Sequence, residues 1–565
     1  MRMRSFGLGL IAMLGIALTG CEQSAESQNA RKVAAPDSLS DAGNVLLRIH
    51  WLGKKRLAAD SSASRLMSIW GLPESARLET QTLDKLAVAP WLPSLTNHQF
   101  PIANYQAALR SSPARYLRPL LNDLLQQESF VEMRQTTNWV VELALAIRLD
   151  PQRAALWQTN LAAVLQSVPG AHPVSAQSTA FAWTVPMTRH GAAATNPIEL
   201  SRAGDWTLLG FGHASNDLVA DMAARIHARP GGAPFIAGKT NYWLEAALNL
   251  AGVRNAFPTA SNIPPRWPKI SLTVTGDGTN VLTTARLSFS SPLNLEMKPW
   301  NIPTDLIHDP LASFTAVRGC KPWLSSWKGW TDLQLGEPPG QLYSWSQQPL
   351  PPLLFAAAPV SDPAGFIQRL LRSSSKSLNP VLEQHRFGKI EQSTNANELI
   401  WAGAPLMAPF VRLARQPNGF ILGGLASSAL TNFPAPAGMF RDVLSRNNLV
   451  YYDWELTGER LEAWWNLGQL FRVIFSKAQL PDNCASIAWF KAAHSKLGPS
   501  GTIVVQNGPD ELLLRRSSGI GFTGIELQLI ADWLESPEFP KGLHTLLTPV
   551  KNRPTGHARR SLQGR

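Results

Sequence analysis

The chain reads as an α+β protein of two related lobes, each an antiparallel sheet with helices packed on one face. Three observations lead there. Short apolar runs of period two alternate with longer runs of helical period. Three segments recur at a nearly constant spacing. Each recurrence is followed by a hairpin signal.

The recurrences are specific. Leu244-Glu245-Ala246 with Asn249-Leu250 returns 217 positions later as Leu461-Glu462-Ala463 with Asn466-Leu467. Phe181-Ala182-Trp183 returns 218 positions on as Leu399-Ile400-Trp401. Trp206 to Gly210 returns after 214 positions, starting at Phe420. Residues 270–275 turn at Gly276-Asp277-Gly278 into 281–289, and 502–506 turn at Asn507-Gly508 into 512–516. Such glycine-bearing turns between apolar strands are strong hairpin signals. In the second copy Leu461, Trp464, Trp465, Gly468, Phe471 and Phe475 share one helical face.

Taken from the start, residues 1–20 have a basic beginning (Arg2, Arg4) and an apolar stretch from Phe6 to Leu18. That stretch is shorter than the roughly 20 residues that span a bilayer. It has the layout of a secretory signal peptide. Leu18-Thr19-Gly20-Cys21 resembles the lipobox of bacterial lipoproteins. The resemblance implies cleavage before Cys21, lipid on its sulfur and a body outside the cytoplasm, anchored to a bacterial membrane. Residues 21–41 are polar and read as a tether. Lobe one is expected over 42–300. It begins with a strand near 44–51 and has a helical span from about Ser112 to Ser167. Within that span Asp150-Pro151 marks a helix start, with Leu156, Leu161, Val164 and Leu165 on the apolar face. Proline-broken sequence near residue 300 separates it from lobe two, 301–547. Residues 548–565 are basic, lack apolar periodicity and read as a tail without packed structure.

Composition narrows the partners. The chain carries 52 Lys and Arg against 40 Asp and Glu, a formal charge of +12. For an exported chain this points away from nucleic acid and towards anionic head groups, an acidic envelope polymer or an envelope protein. Apart from Cys21 the cysteines are Cys320 and Cys484, a candidate disulfide pair in an oxidising compartment. No Cys/His spacing suits zinc, and no cofactor motif is present. Of 20 tryptophans, Trp323, Trp327, Trp330 and Trp345 cluster locally and read chiefly as core.

Two catalytic patterns stand out. Arg189-His190-Gly191, with His308-Asp309 downstream, resembles the signature of histidine phosphatases. The resemblance implies phosphoryl transfer to His190, an Arg189 clamp and proton delivery by the His308-Asp309 pair. Against it, some 150 residues of the mature chain precede the signature, and Gly403-Ala404-Pro405 stands at the matching place of the second copy. Ser373-Ser374-Ser375-Lys376 resembles the Ser-x-x-Lys of penicillin-binding proteins, but Ser325 and Lys328 fit the same loose pattern and no Lys-Thr-Gly follows. The sequence favours a non-enzymatic, membrane-anchored envelope lipoprotein with a binding or assembly role. An envelope hydrolase is the alternative.

Overall fold

A computed structural model describes residues 44–536 and 539–540, except 92–104, 137–140, 175–180, 190–191, 213–216, 229–233, 235–241, 257–266, 348–352, 396, 406, 415–418, 427–432, 475–483. The tether, Cys21 and the basic tail lie outside the described residues. The fold is α+β, built on one large antiparallel sheet.

The first ten strands are β1 (Val45–Trp51), β2 (Ser129–Gln135), β3 (Val141–Arg148), β4 (His172–Pro173), β5 (Phe181–Arg189), β6 (Ala192–Ala203), β7 (Trp206–Phe211), β8 (Leu244–Asn249), β9 (Lys269–Gly276) and β10 (Val281–Ser288). The next ten are β11 (Leu311–Arg318), β12 (Gln341–Gln347), β13 (Leu354–Pro359), β14 (Lys389–Gln392), β15 (Glu398–Ala402), β16 (Phe410–Leu413), β17 (Phe420–Gly424), β18 (Leu449–Leu456), β19 (Pro499–Gly508) and β20 (Glu511–Ser518). Pairing runs 4-5-6-7-3-2-1-8-9-10 in the first ten and 14-15-16-17-13-12-11-18-19-20 in the second, every pair antiparallel. The two halves thus repeat one strand order. They join where β10 pairs with β20, so the sheet is continuous across the two halves.

The helices used below are α1 (Pro73–Val88), α2 (Ala114–Gln126), α3 (Pro151–Gln166), α4 (Asp217–Ala228), α5 (Leu250–Ala256), α6 (Pro363–Ser377), α7 (Ala437–Ser445), α8 (Thr457–Ile474), α9 (Ala485–Leu497) and α10 (Gly524–Glu535). They pack on both faces of the sheet. In β3, Leu145 and Ile147 meet Trp157 and Leu161 of α3, while Ala144 and Ala146 meet Leu218 and Met222 of α4. A strand buried on both faces needs small or apolar residues at every position. The second half does the same, with α6 on one face and α7 on the other.

Local chemistry sets several boundaries. Asp150 accepts from Arg153 N at 2.8 Å and Pro151 opens α3. Asp362 repeats this for α6, accepting from Gly365 N at 2.9 Å ahead of Pro363. Both carry the Asp-Pro helix start. Both expected hairpins form, as β9–β10 and β19–β20.

Three expectations are corrected. The span 112–167 is not one helical region, because β2 and β3 interrupt it. Val141-Glu142-Leu143-Ala144-Leu145-Ala146 is rich in helix formers, yet two-sided burial in the sheet overrides that preference. Leu244 and Leu461 are not equivalent, since Leu244 opens β8 while Leu461 lies on α8. The true counterpart of α8 is α5, which also follows its strand directly. Lastly, Cys320 and Cys484 are both free and buried. Cys320 packs with Leu324, Trp330 and Ile367 and donates weakly to Pro339 O at 3.4 Å, whereas Cys484 stands at the position just before α9. Burial pushes the Cys320 thiol up to about 12 and raises Cys484 as well, so both stay protonated.

Leu208 is fully buried between β7 and α4. Leu208→Ala should lower stability by about 2–5 kcal/mol, read as a drop in the denaturant midpoint. An unchanged midpoint would contradict this placement of the core.

Candidate functional site

The repeated strand order allows the halves to be compared position by position. With Trp206 set on Phe420, the pairing registers carry Ile49 onto Thr315, Ala246 onto Asp453, Leu272 onto Thr502 and Ala285 onto Arg516. Leu47, Leu248, Ile270 and Leu287 fall on Ser313, Glu455, Ser500 and Ser518. All eight positions lie on one face. They are apolar in the first half and polar in the second.

Burial runs against that chemistry. The eight polar residues are all buried, with Glu455 and Ser518 at 0% exposure. Seven of the eight apolar counterparts are only partly buried, Ala285 excepted. Buried charge is unfavourable unless paired and hydrogen-bonded, so the polar rows need a cover that supplies partners.

Helix α8 is that cover. Arg460 Nη1 donates to Asp453 Oδ1 at 2.7 Å and to Glu455 Oε2 at 2.8 Å. Thr315 Oγ1 donates to the same Asp453 oxygen at 2.5 Å. Gly524 N, at the start of α10, donates to Glu455 Oε1 at 2.7 Å. Thr457 and Ser500 share a hydroxyl contact of 2.5 Å, as do Ser313 and Ser346 at 2.7 Å. Arg516 grips Glu526 of α10 with both terminal nitrogens, at 2.7 and 2.8 Å. Burial pulls the Arg460 pKa down, but Asp453 and Glu455 more than reverse this and keep it charged. Burial, and then the charge of Asp453, raises Glu455.

A second tie holds the outer helices together. Glu535 of α10 accepts from Ser486 N at 3.0 Å, Ser486 Oγ at 2.8 Å and Gln81 Nε2 at 2.9 Å. Lys85 of α1 lies 3.4 Å away. Burial opposes ionisation of Glu535, but the Ser486 hydrogen bonds and Lys85 lower its pKa on balance.

The residues singled out in the sequence fall elsewhere. Arg189 ends β5 at a hairpin tip, and His190 lies outside the described residues. His308 and Asp309 lead into β11, with eleven strands between β5 and β11 in the pairing order. Both make backbone joints there: His308 O accepts from Gln347 Nε2 at 2.7 Å, and Asp309 N donates to Phe433 O at 3.0 Å. A cleft of about 290 Å³ opens beside Lys298, Lys321, Glu337 and Gln341, and neither His308 nor Asp309 lines it. Ser373 and Lys376 lie in the last turns of α6. Trp330 and Trp345 are buried, while Trp323 and Trp327 are partly buried against the same core as Trp330. Comparison with protein families, curated proteins and solved structures gave no match.

Arg460→Ala should cost about 3–5 kcal/mol, because it strands two buried carboxylates. Chemical denaturation checks this, and a loss typical of a surface residue would refute the pairing. Glu455 gives a pH signature. Its folded pKa is raised, so its contribution is full below the ordinary 4.5 and is lost as pH rises through the folded value. Glu455→Gln removes that loss. Thermal midpoints measured from about pH 4 to about pH 8 should therefore shift in favour of the variant as pH rises. A constant difference would contradict the burial of this charge.

Proposed function

We propose that the chain is a lipid-anchored protein of the bacterial envelope that binds or assembles with another envelope component and carries out no catalysis of its own. Leu18-Thr19-Gly20-Cys21, behind a basic start and a short apolar run, is the observation that carries the reading. A diacylated cysteine holds a protein stably on a membrane, which a single chain does only marginally. No helix among the described residues is long and apolar enough to cross a bilayer.

The binding part of the proposal draws support from the first half of the sheet. Leu47, Ile49, Leu248 and Ile270 are apolar and only partly buried on one face of the sheet, and Leu272 and Leu287 beside them pack against the core. A contiguous apolar surface of this kind favours contact with a partner, and we assign that partner to the envelope proteins. The strongly basic balance of the chain suits a setting among anionic head groups. The polar rows, by contrast, are closed under α8, with Arg460, Asp453 and Glu455 spent on one another. That arrangement stabilises a fold and leaves no free acid and base side by side.

Cys21→Ala should abolish fatty-acid labelling and release the chain from membranes or leave it as an uncleaved precursor. Metabolic labelling with fractionation decides this. Equal labelling and membrane recovery in the variant would overturn the anchor.

A further inference from the structure

We infer that Glu459, Glu462 and His494 form a binding site for a zinc-class divalent metal ion. Glu459 and Glu462 lie three residues apart near the start of α8, hence on one face of the helix. His494 stands in the last turn of α9. The two helices come close here because residue 458 is glycine. A Cβ on Gly458 would lie 2.7 Å from His494 O and 3.3 Å from its Nε2.

The ligand atoms of all three residues lie within 4.8 Å of one another. His494 Nε2 is 3.3 Å from Glu462 Oε2 and 3.8 Å from Glu459 Oε1. A tetrahedral ion with bonds of about 2.0–2.1 Å sets its ligands about 3.4 Å apart. The observed spacing therefore fits a shared ion with small adjustments. Nε2 is shielded from solvent and makes no hydrogen bond, and its two carboxylate contacts are ion pairs only when the imidazole is protonated. The side chains of His494, Glu459 and Glu462 are 34%, 39% and 61% exposed, so an ion would enter from the side of the carboxylates and displace the close packing around Nε2.

Ligand type decides the class of metal. Calcium takes six to eight oxygens, more than two glutamates supply with ordinary coordination. An imidazole beside carboxylates suits zinc and its first-row neighbours. Three protein ligands leave a coordination position for water, the open arrangement of an exchangeable site. The ion would also join α8 to α9 on the outer side of the turn that carries Arg460.

The test uses the full chain, purified in detergent with a tag free of histidine and stripped with chelator. Zinc is titrated by calorimetry and cobalt by visible absorption. One zinc per chain is expected, with the intense visible bands of low-symmetry cobalt. Glu462→Gln should weaken zinc binding by at least about tenfold, taking the loss known for groups that merely support a ligand as a lower bound. His494→Ala should abolish the cobalt bands. Glu462 is the most exposed of the three, so its conservative variant keeps the test open if His494→Ala unfolds. No saturable binding, or wild-type affinity in a folded variant, would overturn the site.

Discussion

The guanidinium of Arg460, set between Asp453 and Glu455 beneath α8, is the interaction on which the second half depends. A sheet face of Ser313, Thr315, Asp453, Glu455, Thr502 and Arg516 cannot be covered by an apolar helix. Each uncompensated buried carboxylate would favour an opened, hydrated surface over a packed one. Arg460 supplies the charge, Thr315 a hydroxyl donor and Gly524 a backbone donor. Those donors come from α8, β11 and α10. Closure of this face therefore requires the strands and both helices to be in place together, which couples their stability.

The first half faces the opposite problem. Its equivalent rows are apolar and mostly only partly buried, and α5, with seven residues, is far shorter than α8, with eighteen. The same strand order thus presents a closed polar face on one side of the β10–β20 seam and a partly buried apolar face on the other. The local twofold relation passes through the pair Thr284 and Arg515, where β10 meets β20. A shared strand order thus carries two different chemistries on the same face, one closed by buried polar contacts and one by apolar packing.

How much of this was legible in the sequence depends on how local the cause was. Asp150-Pro151 marks its helix because cap and first turn are neighbours. Gly276-Asp277-Gly278 marks its hairpin because the carboxylate of Asp277 folds the turn by accepting from Thr279 N and Asn280 N. The repeat was visible at Trp206 and Phe420, where apolar strands keep their letters. It misled at Leu244 and Leu461, because Leu-Glu-Ala suits a helix and here also forms a strand beside β1. β2 and β3 were hidden by helix-forming letters. The polar rows could not be read at all: Thr315 and Arg460 lie 145 positions apart and meet only through the pairing of β11 with β18. Glu459 and Glu462 show a ligand-like spacing, but His494 arrives from another helix with nothing in the intervening sequence to announce it.

The start of α8 has two chemical faces. Thr457 and Arg460 point to the sheet, where Thr457 meets the Ser500 hydroxyl and Arg460 neutralises the carboxylates, while Glu459 and Glu462 look outward to α9. Helical geometry enforces this alternation within a single turn. Gly458 lets the same turn approach α9 more closely than any other residue would permit, and Gly524 meets α8 with equally little room, its Cβ position only 2.8 Å from Leu461 N. Two glycines from different helices thus bring α8 against its neighbours on both sides. The turn cannot shift outward without pulling Arg460 from Asp453 and Glu455, nor inward without meeting the sheet. Events on the exposed outer face are in this way tied mechanically to the buried cluster of Arg460, Asp453 and Glu455.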